Sequence, residues 1–102
     1  MEKWLACQVT PGQFSDEFAV QATAFDGTPF SLFVGTENVQ HDAPLSVDHA
    51  VDGWMRVEPL AKEQRLLLVR LPSETLGNGR TVTVDEGQLR PPLSRPTDWP
   101  NR

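Results

Sequence analysis

Apolar and polar residues alternate along most of the chain with the period of a β-strand. Leu5, Cys7 and Val9 alternate with Ala6 and Gln8, which places the apolar set on one face of an extended segment. Thr10-Pro11-Gly12 ends that run, because proline donates nothing to a ladder and glycine accepts turn geometry. Phe18, Val20, Ala22 and Ala24 line one face of a second run, and Phe30, Leu32 and Val34 one face of a third. Asp26-Gly27 lies between them and predicts a hairpin with a type I′ turn. Phe25 and Phe33 fall on the opposite face, where they are expected to pair across the hairpin.

The pattern fades over residues 35–52, a long, polar and acidic stretch with weak periodicity. Loops of that length in a compact domain are often functional. Thr36 is placed to cap a short turn, and Ser46 to Ala50 to form one helical turn. Alternation resumes at Gly53-Trp54, with Met55 and Val57 against Arg56 and Glu58, and Pro59 is expected to end or bend the strand. Leu66-Leu67-Leu68-Val69-Arg70-Leu71 is nearly continuous in apolar residues and predicts a central strand covered on both faces. Arg80 to Val84 alternates again, and Asp85 to Leu89 reads as a tight turn with Leu89 closing the core.

Six short strands joined by hairpin turns, with almost no helical period, predict an all-β fold. The expected form is a small antiparallel barrel of five or six strands, because closure removes exposed edges. A last strand followed by a tight turn is SH3-like in layout. One domain is expected over 1–90. A flexible Pro-rich tail is expected over 91–102, which holds four of the nine prolines and favours extended conformations. No repeat is evident: the units 18–34 and 54–71 share a rhythm, as hairpins do for geometric reasons.

Composition narrows the function classes. The chain has 102 residues and a net charge of −5. Eight acidic residues and one basic residue, Arg56, lie between Gln13 and Pro59, whereas basic residues outnumber acidic ones from Leu60 onward. The acidic first half would repel phosphate, so nucleic-acid binding is not expected. No apolar run reaches the roughly 20 residues of a membrane span, and Met1-Glu2-Lys3-Trp4 does not begin a signal peptide. A cytoplasmic location without membrane contact is the expectation. Cys7 is the one cysteine, which leaves no internal disulfide and no cysteine-rich metal site.

Candidate chemistry is sparse. His41, Asp42, Asp48 and His49, with Asp52 close by, are residue types that ligate divalent metals, yet their spacing matches no established ligand motif. Trp54, at a loop–strand junction, is a candidate binding aromatic. Leu66 and Leu68 become candidate interface residues if nothing covers their face. Trp99 gives the tail an anchor for docking on this domain or on another copy. Gly77-Asn78-Gly79 lacks the lysine and helix of a phosphate loop, and no nucleophile elbow or zinc-protease motif occurs. The reading leans away from an enzyme and requires no cofactor. It favours an interaction module for another protein or for itself, including a homo-oligomer, over a metal- or small-ligand-binding domain using the 41–52 loop.

Overall fold

A computed structural model describes residues 3–77 and 79–90. Their elements are β1 (Lys3–Pro11), β2 (Glu17–Thr23), β3 (Pro29–Gly35), a 3-10 turn (Thr36–Asn38), β4 (Val39–His41), β5 (Val51–Glu63), β6 (Leu66–Thr75), β7 (Gly79–Asp85), a second 3-10 turn (Glu86–Gln88) and β8 (Leu89–Arg90). All pairings are antiparallel. β1 pairs β2, β2 pairs β3, β3 pairs β6, β6 pairs β5, and β5 returns to β1, so five strands close a barrel. β7 lies beside β6, β4 beside β5, and β8 beside β1. The expected all-β barrel is present, and a terminal 3-10 turn leading into a short strand on β1 agrees with an SH3-like layout.

The period-two pattern explains the core. Leu5, Val9, Val20, Leu32, Val34, Met55, Val57, Val69, Leu71 and Val84 are all at most 2% exposed. They belong to one cluster, against which Phe18, Leu45, Val51, Val82 and Leu89 are partly buried. Burial of this kind, at about 25 cal/mol per Å² of apolar surface, supplies most of the favourable free energy of folding.

Several expectations are corrected. The barrel closes with five strands, within the expected number, but the described residues hold eight strands where the pattern predicts six, because β4 and β8 are too short to carry a readable period. β5 continues through Pro59 to Glu63 by means of a bulge: Pro59 pairs Val69, Ala61 pairs Leu68, and Leu60 is the extra residue. The run Leu66–Leu71 is not covered on both faces; Leu67, Val69 and Leu71 are buried while Leu66, Leu68 and Arg70 are exposed. Ser46 to Ala50 forms no helical turn. The hairpin at Asp26-Gly27 forms, but its turn has another geometry. Ala24 and Thr28 close it, and Gly27 alone has positive φ, at 88°. A type I′ turn needs positive φ at both central residues, so this is a three-residue loop with glycine in the left-handed position. Phe33 faces Ala19 of β2, and Phe25 lies in the turn, its N–H donating to Thr83 O at 2.9 Å. The expected Phe25–Phe33 pair does not form.

The ladder registers also reveal a repeat. Val39 faces Met55 and Gln40 faces Trp54; Leu89 faces Leu5 and Arg90 faces Trp4. Adding 50 to a residue number in the first half therefore gives its counterpart in the second, as 5 to 55 and 39 to 89 show. The step carries β3 onto β7, one 3-10 turn onto the other, and β4 onto β8. It carries Val9, paired with Val20, onto Pro59, paired with Val69. The Leu60 bulge and a shorter turn after it shift the step to 49 along β6. Two interlocked halves thus build one barrel, each half laying its last short strand on the first strand of the other.

Candidate functional site

Leu5 and Met55 point inward, so Trp4 and Ala6 of β1, with Trp54 and Arg56 of β5, lie on the outer face of the β1–β5 pair. Two cross-strand rows result: Gln40–Trp54–Ala6 and Arg56–Trp4–Arg90. The repeat maps one row onto the other. The Arg90 guanidinium lies 4.0 Å from the Trp54 ring centroid, and that of Arg56 lies 5.5 Å from Trp4, both within cation–π range. Burial pulls the Arg90 pKa down, and the nearby Asp42 carboxylate acts in the opposite sense.

Two clefts meet at Trp54. One, of about 550 Å³, is lined by Ala6, Gln8, Thr23, Asp52 and Gln88. The other, of about 600 Å³, is lined by His41, Asp42, Val51, Asp52 and Arg90. Gln8 Nε2 donates to Asp52 Oδ1 at 2.6 Å, and Asp52 lines both clefts. Cys7 also reaches the first cleft, but burial, aided by the Asp52 charge, pushes its thiol up to about 12. It is a protonated core side chain at neutral pH, unsuited to nucleophilic attack.

The candidate metal ligands do not assemble. Among the described residues no group of three or more His, Cys, Asp and Glu side chains converges. His41 is held locally, with its Nδ1 2.8 Å from Ala43 O and its ring edge-on to Phe18 at 5.5 Å. Asp48 and His49 lie in the exposed part of the loop, where the Asp48 N–H donates to Ser46 Oγ. Asp42 instead faces Arg90 across the Trp54 cleft.

Leu66 and Leu68 lie on a separate surface, the outer face of β6, at 36% and 37% exposure. Leu60, which the sequence pattern did not single out, is 41% exposed at the bulge. Leu68 pairs Ala61 on one side and Thr83 on the other, which continues the apolar strip across the sheet. Charges of both signs rim it. Arg65 holds Asp85 at 3.0 Å and Glu86 at 3.2 Å, Lys62 holds Glu86 at 3.2 Å, and Arg70 holds Glu58 at 3.4 Å. Trp99 and the Pro-rich tail lie outside the described residues. No helix among the described residues is long and apolar enough to cross a membrane.

Arg56, Arg90 and Leu60 are the surface residues that sequence reasoning missed. The repeat would have flagged Arg90 as the counterpart of Gln40 and Leu60 as a residue without a counterpart. Comparison with protein-family models, curated proteins and solved structures finds no match to this chain.

Proposed function

We propose that this chain is a non-catalytic interaction module that associates through the outer face of β5 and β6, with a second copy of itself as the favoured partner. One observation carries the reading: the leucines on that face are absent from the equivalent face of the first half. Leu66 corresponds to Glu17 and Leu68 to Ala19, by the matching of Leu66–Asp85 and Leu68–Thr83 with Glu17–Gly35 and Ala19–Phe33. Leu60 has no counterpart. The first half carries its large apolar side chain on the neighbouring strand, at Phe33, which accounts for Leu68 as a swap within a cross-strand pair. It does not account for Leu60 or Leu66. The barrel architecture itself does not require them, and apolar strips rimmed by polar groups are typical of contact surfaces.

The mixed rim favours self-association. The rim holds Lys62, Arg65 and Arg70 beside Glu58 and Glu86, so a twofold-related copy would offer both signs of charge to both signs. The single cysteine, buried and reduced, fits a cytoplasmic setting. A second reading, small-ligand binding, draws on the two clefts that meet at Trp54.

Sedimentation velocity on the full chain between about 1 µM and 1 mM tests the proposal, spanning association free energies of roughly −8 to −4 kcal/mol. A concentration-dependent dimer that is lost in Leu66→Glu supports it. A strict monomer over that range, or a dimer unaffected by Leu66→Glu, removes this face as a self-association surface.

A further inference from the structure

We propose that the first cleft beside Trp54 is a binding site for an uncharged carbohydrate. The proposal rests on the small-ligand reading of that cleft and is independent of the β6 face. Its starting point is the repeat, which shows that the barrel does not require a cleft there. Ala6 of β1 faces Trp54, and its counterpart Arg56 of β5 faces Trp4. In the second half the Arg56 guanidinium lies over the Trp4 ring at 5.5 Å, so a long side chain occupies the space beside the indole. In the first half the same position holds only a methyl group. A cleft of about 550 Å³ opens there beside Trp54, within the roughly 300–1,000 Å³ of small-molecule sites. Two residues further along the strand the halves differ in the same sense. Glu58 and Arg70 face each other and form an ion pair at 3.4 Å, whereas their counterparts Gln8 and Gln21 are a pair of neutral amides.

The chemistry of the lining selects the ligand class. Among the described residues no Lys, Arg or His lines this cleft, so an anion finds no countercharge. A cation would meet one carboxylate, Asp52, which already accepts from Gln8 Nε2 at 2.6 Å. What remains is neutral hydrogen-bonding capacity beside an aromatic surface. Gln8 Oε1 and Asp52 Oδ2 are acceptors, and the Gln21 amide both donates and accepts; none of these atoms hydrogen-bonds another described residue. The end wall is braced in advance. Gln88 Nε2 donates to Thr23 O at 2.9 Å while Gln88 Oε1 accepts from the Asp85 N–H at 2.8 Å, which lowers the cost of ordering the site around a ligand. A sugar ring matches this arrangement, because each hydroxyl both donates and accepts and the C–H face of the ring packs on an indole. Arg90, stacked on Trp54 at 4.0 Å, lines the second cleft and not the first. The indole surface in the first cleft is therefore left for that ring.

NMR titration of the isotope-labelled full chain tests this. The probes are D-glucose, D-galactose, D-mannose and N-acetyl-D-glucosamine, each taken to about 50 mM, which captures weak millimolar binding. The expected result is saturable shifts of the Trp54 indole N–H and of the Gln8 and Gln21 side-chain amides with at least one sugar. Ala6→Arg writes the second half's residue into the cleft and should weaken that binding about tenfold or more, with the far-ultraviolet circular dichroism unchanged. Gln21→Ala, at an exposed position, should weaken it several-fold and replaces Ala6→Arg if the sheet signal falls. Absence of saturable shifts with all four sugars, or binding that survives these substitutions, overturns the proposal. Caffeine, a neutral heteroaromatic without hydroxyls, separates this proposal from the reading it rests on. Shifts at Trp54 with caffeine and with no sugar overturn the carbohydrate class and keep a small-ligand cleft. No shift with any of the five probes removes both.

Discussion

Leu5 of β1 and Met55 of β5 face each other at the centre of the barrel, and each is the counterpart of the other in the repeat. Both are 0% exposed. The local twofold relating the halves passes between them, so their contact joins the two units. Leu5→Ala and Met55→Ala should each cost about 2–5 kcal/mol, the range for emptying a buried large apolar site. Because the side chains touch across one ladder, the double variant should depart from additivity by about 0.5–3 kcal/mol. Urea denaturation of the two single variants and the double variant measures this. Additive losses would show that the halves are not joined through this pair.

Leu66→Glu combined with Leu68→Ala writes the first half's residues onto the second. If those leucines serve contact with a partner, the monomer should lose little, within roughly 0.5 kcal/mol of the parent. Thermal unfolding at a concentration low enough to exclude association checks it. A loss of several kcal/mol would make the leucines structural and withdraw the proposed interface.

These outcomes turn on how much of the fold the sequence displays. Alternation alone locates β1, β2, β3 and β7, because each buries one face and exposes the other. It misreads β6 because Leu66 and Leu68 occupy outward positions that barrel architecture leaves free, which makes a one-sided strand look two-sided. It misses β4 and β8 because two or three residues carry no period. The repeat is hidden because few identities survive, among them Trp4 with Trp54, Gly27 with Gly77 and Val34 with Val84, and because the Leu60 bulge shifts the step partway through. At the Trp54 face, the pattern places Trp54 outward. The approach of Arg90 from a strand 36 residue numbers away (54 to 90) depends on pairing that no local pattern encodes.

Gly53 lies near the start of β5, paired with His41 of β4 on one side and Cys7 of β1 on the other. A Cβ there would lie 2.7 Å from Gln40 O and 2.7 Å from Val9 Cγ2, so either the β4 backbone or a core valine must move. Gly53→Ala should cost about 1–3 kcal/mol by overpacking and loosen β4 first. Amide exchange should accelerate at β4 more than at β2. Equal exchange at both strands would contradict the assignment of the clash.

The Cys7 thiol, raised to about 12 by burial, ties stability to alkaline pH. The unfolded thiol ionises near 8.5 and the folded one does not. This contribution is complete below about pH 8.5 and declines as pH rises toward 12. Thermal midpoints should fall over that window in the parent and fall less in Cys7→Ala. Native protein at pH 8 should also react with a thiol reagent only as fast as it unfolds. Rapid labelling of folded protein would show that the thiol is accessible.

The repeat makes one demand of the chain as a whole. If the halves are equivalent, the path from β8 back to β1 spans the same gap as the path from β4 to β5. The latter is bridged by the 41–52 region, and residues 91–102 joined to Met1 and Glu2 form a connection of similar length. Joining Arg102 to Met1 and opening the chain between Val47 and Asp48, in an exposed loop tip where Val47 is 85% exposed, should give a folded circular permutant. Each β-unit stays intact, and only the linker carrying the covalent connection changes. The permutant should keep the parent's tryptophan emission maximum and cooperative unfolding. A permutant without cooperative unfolding, set beside a parent simply nicked at the same place that does keep it, would show that the two halves are not interchangeable around the barrel.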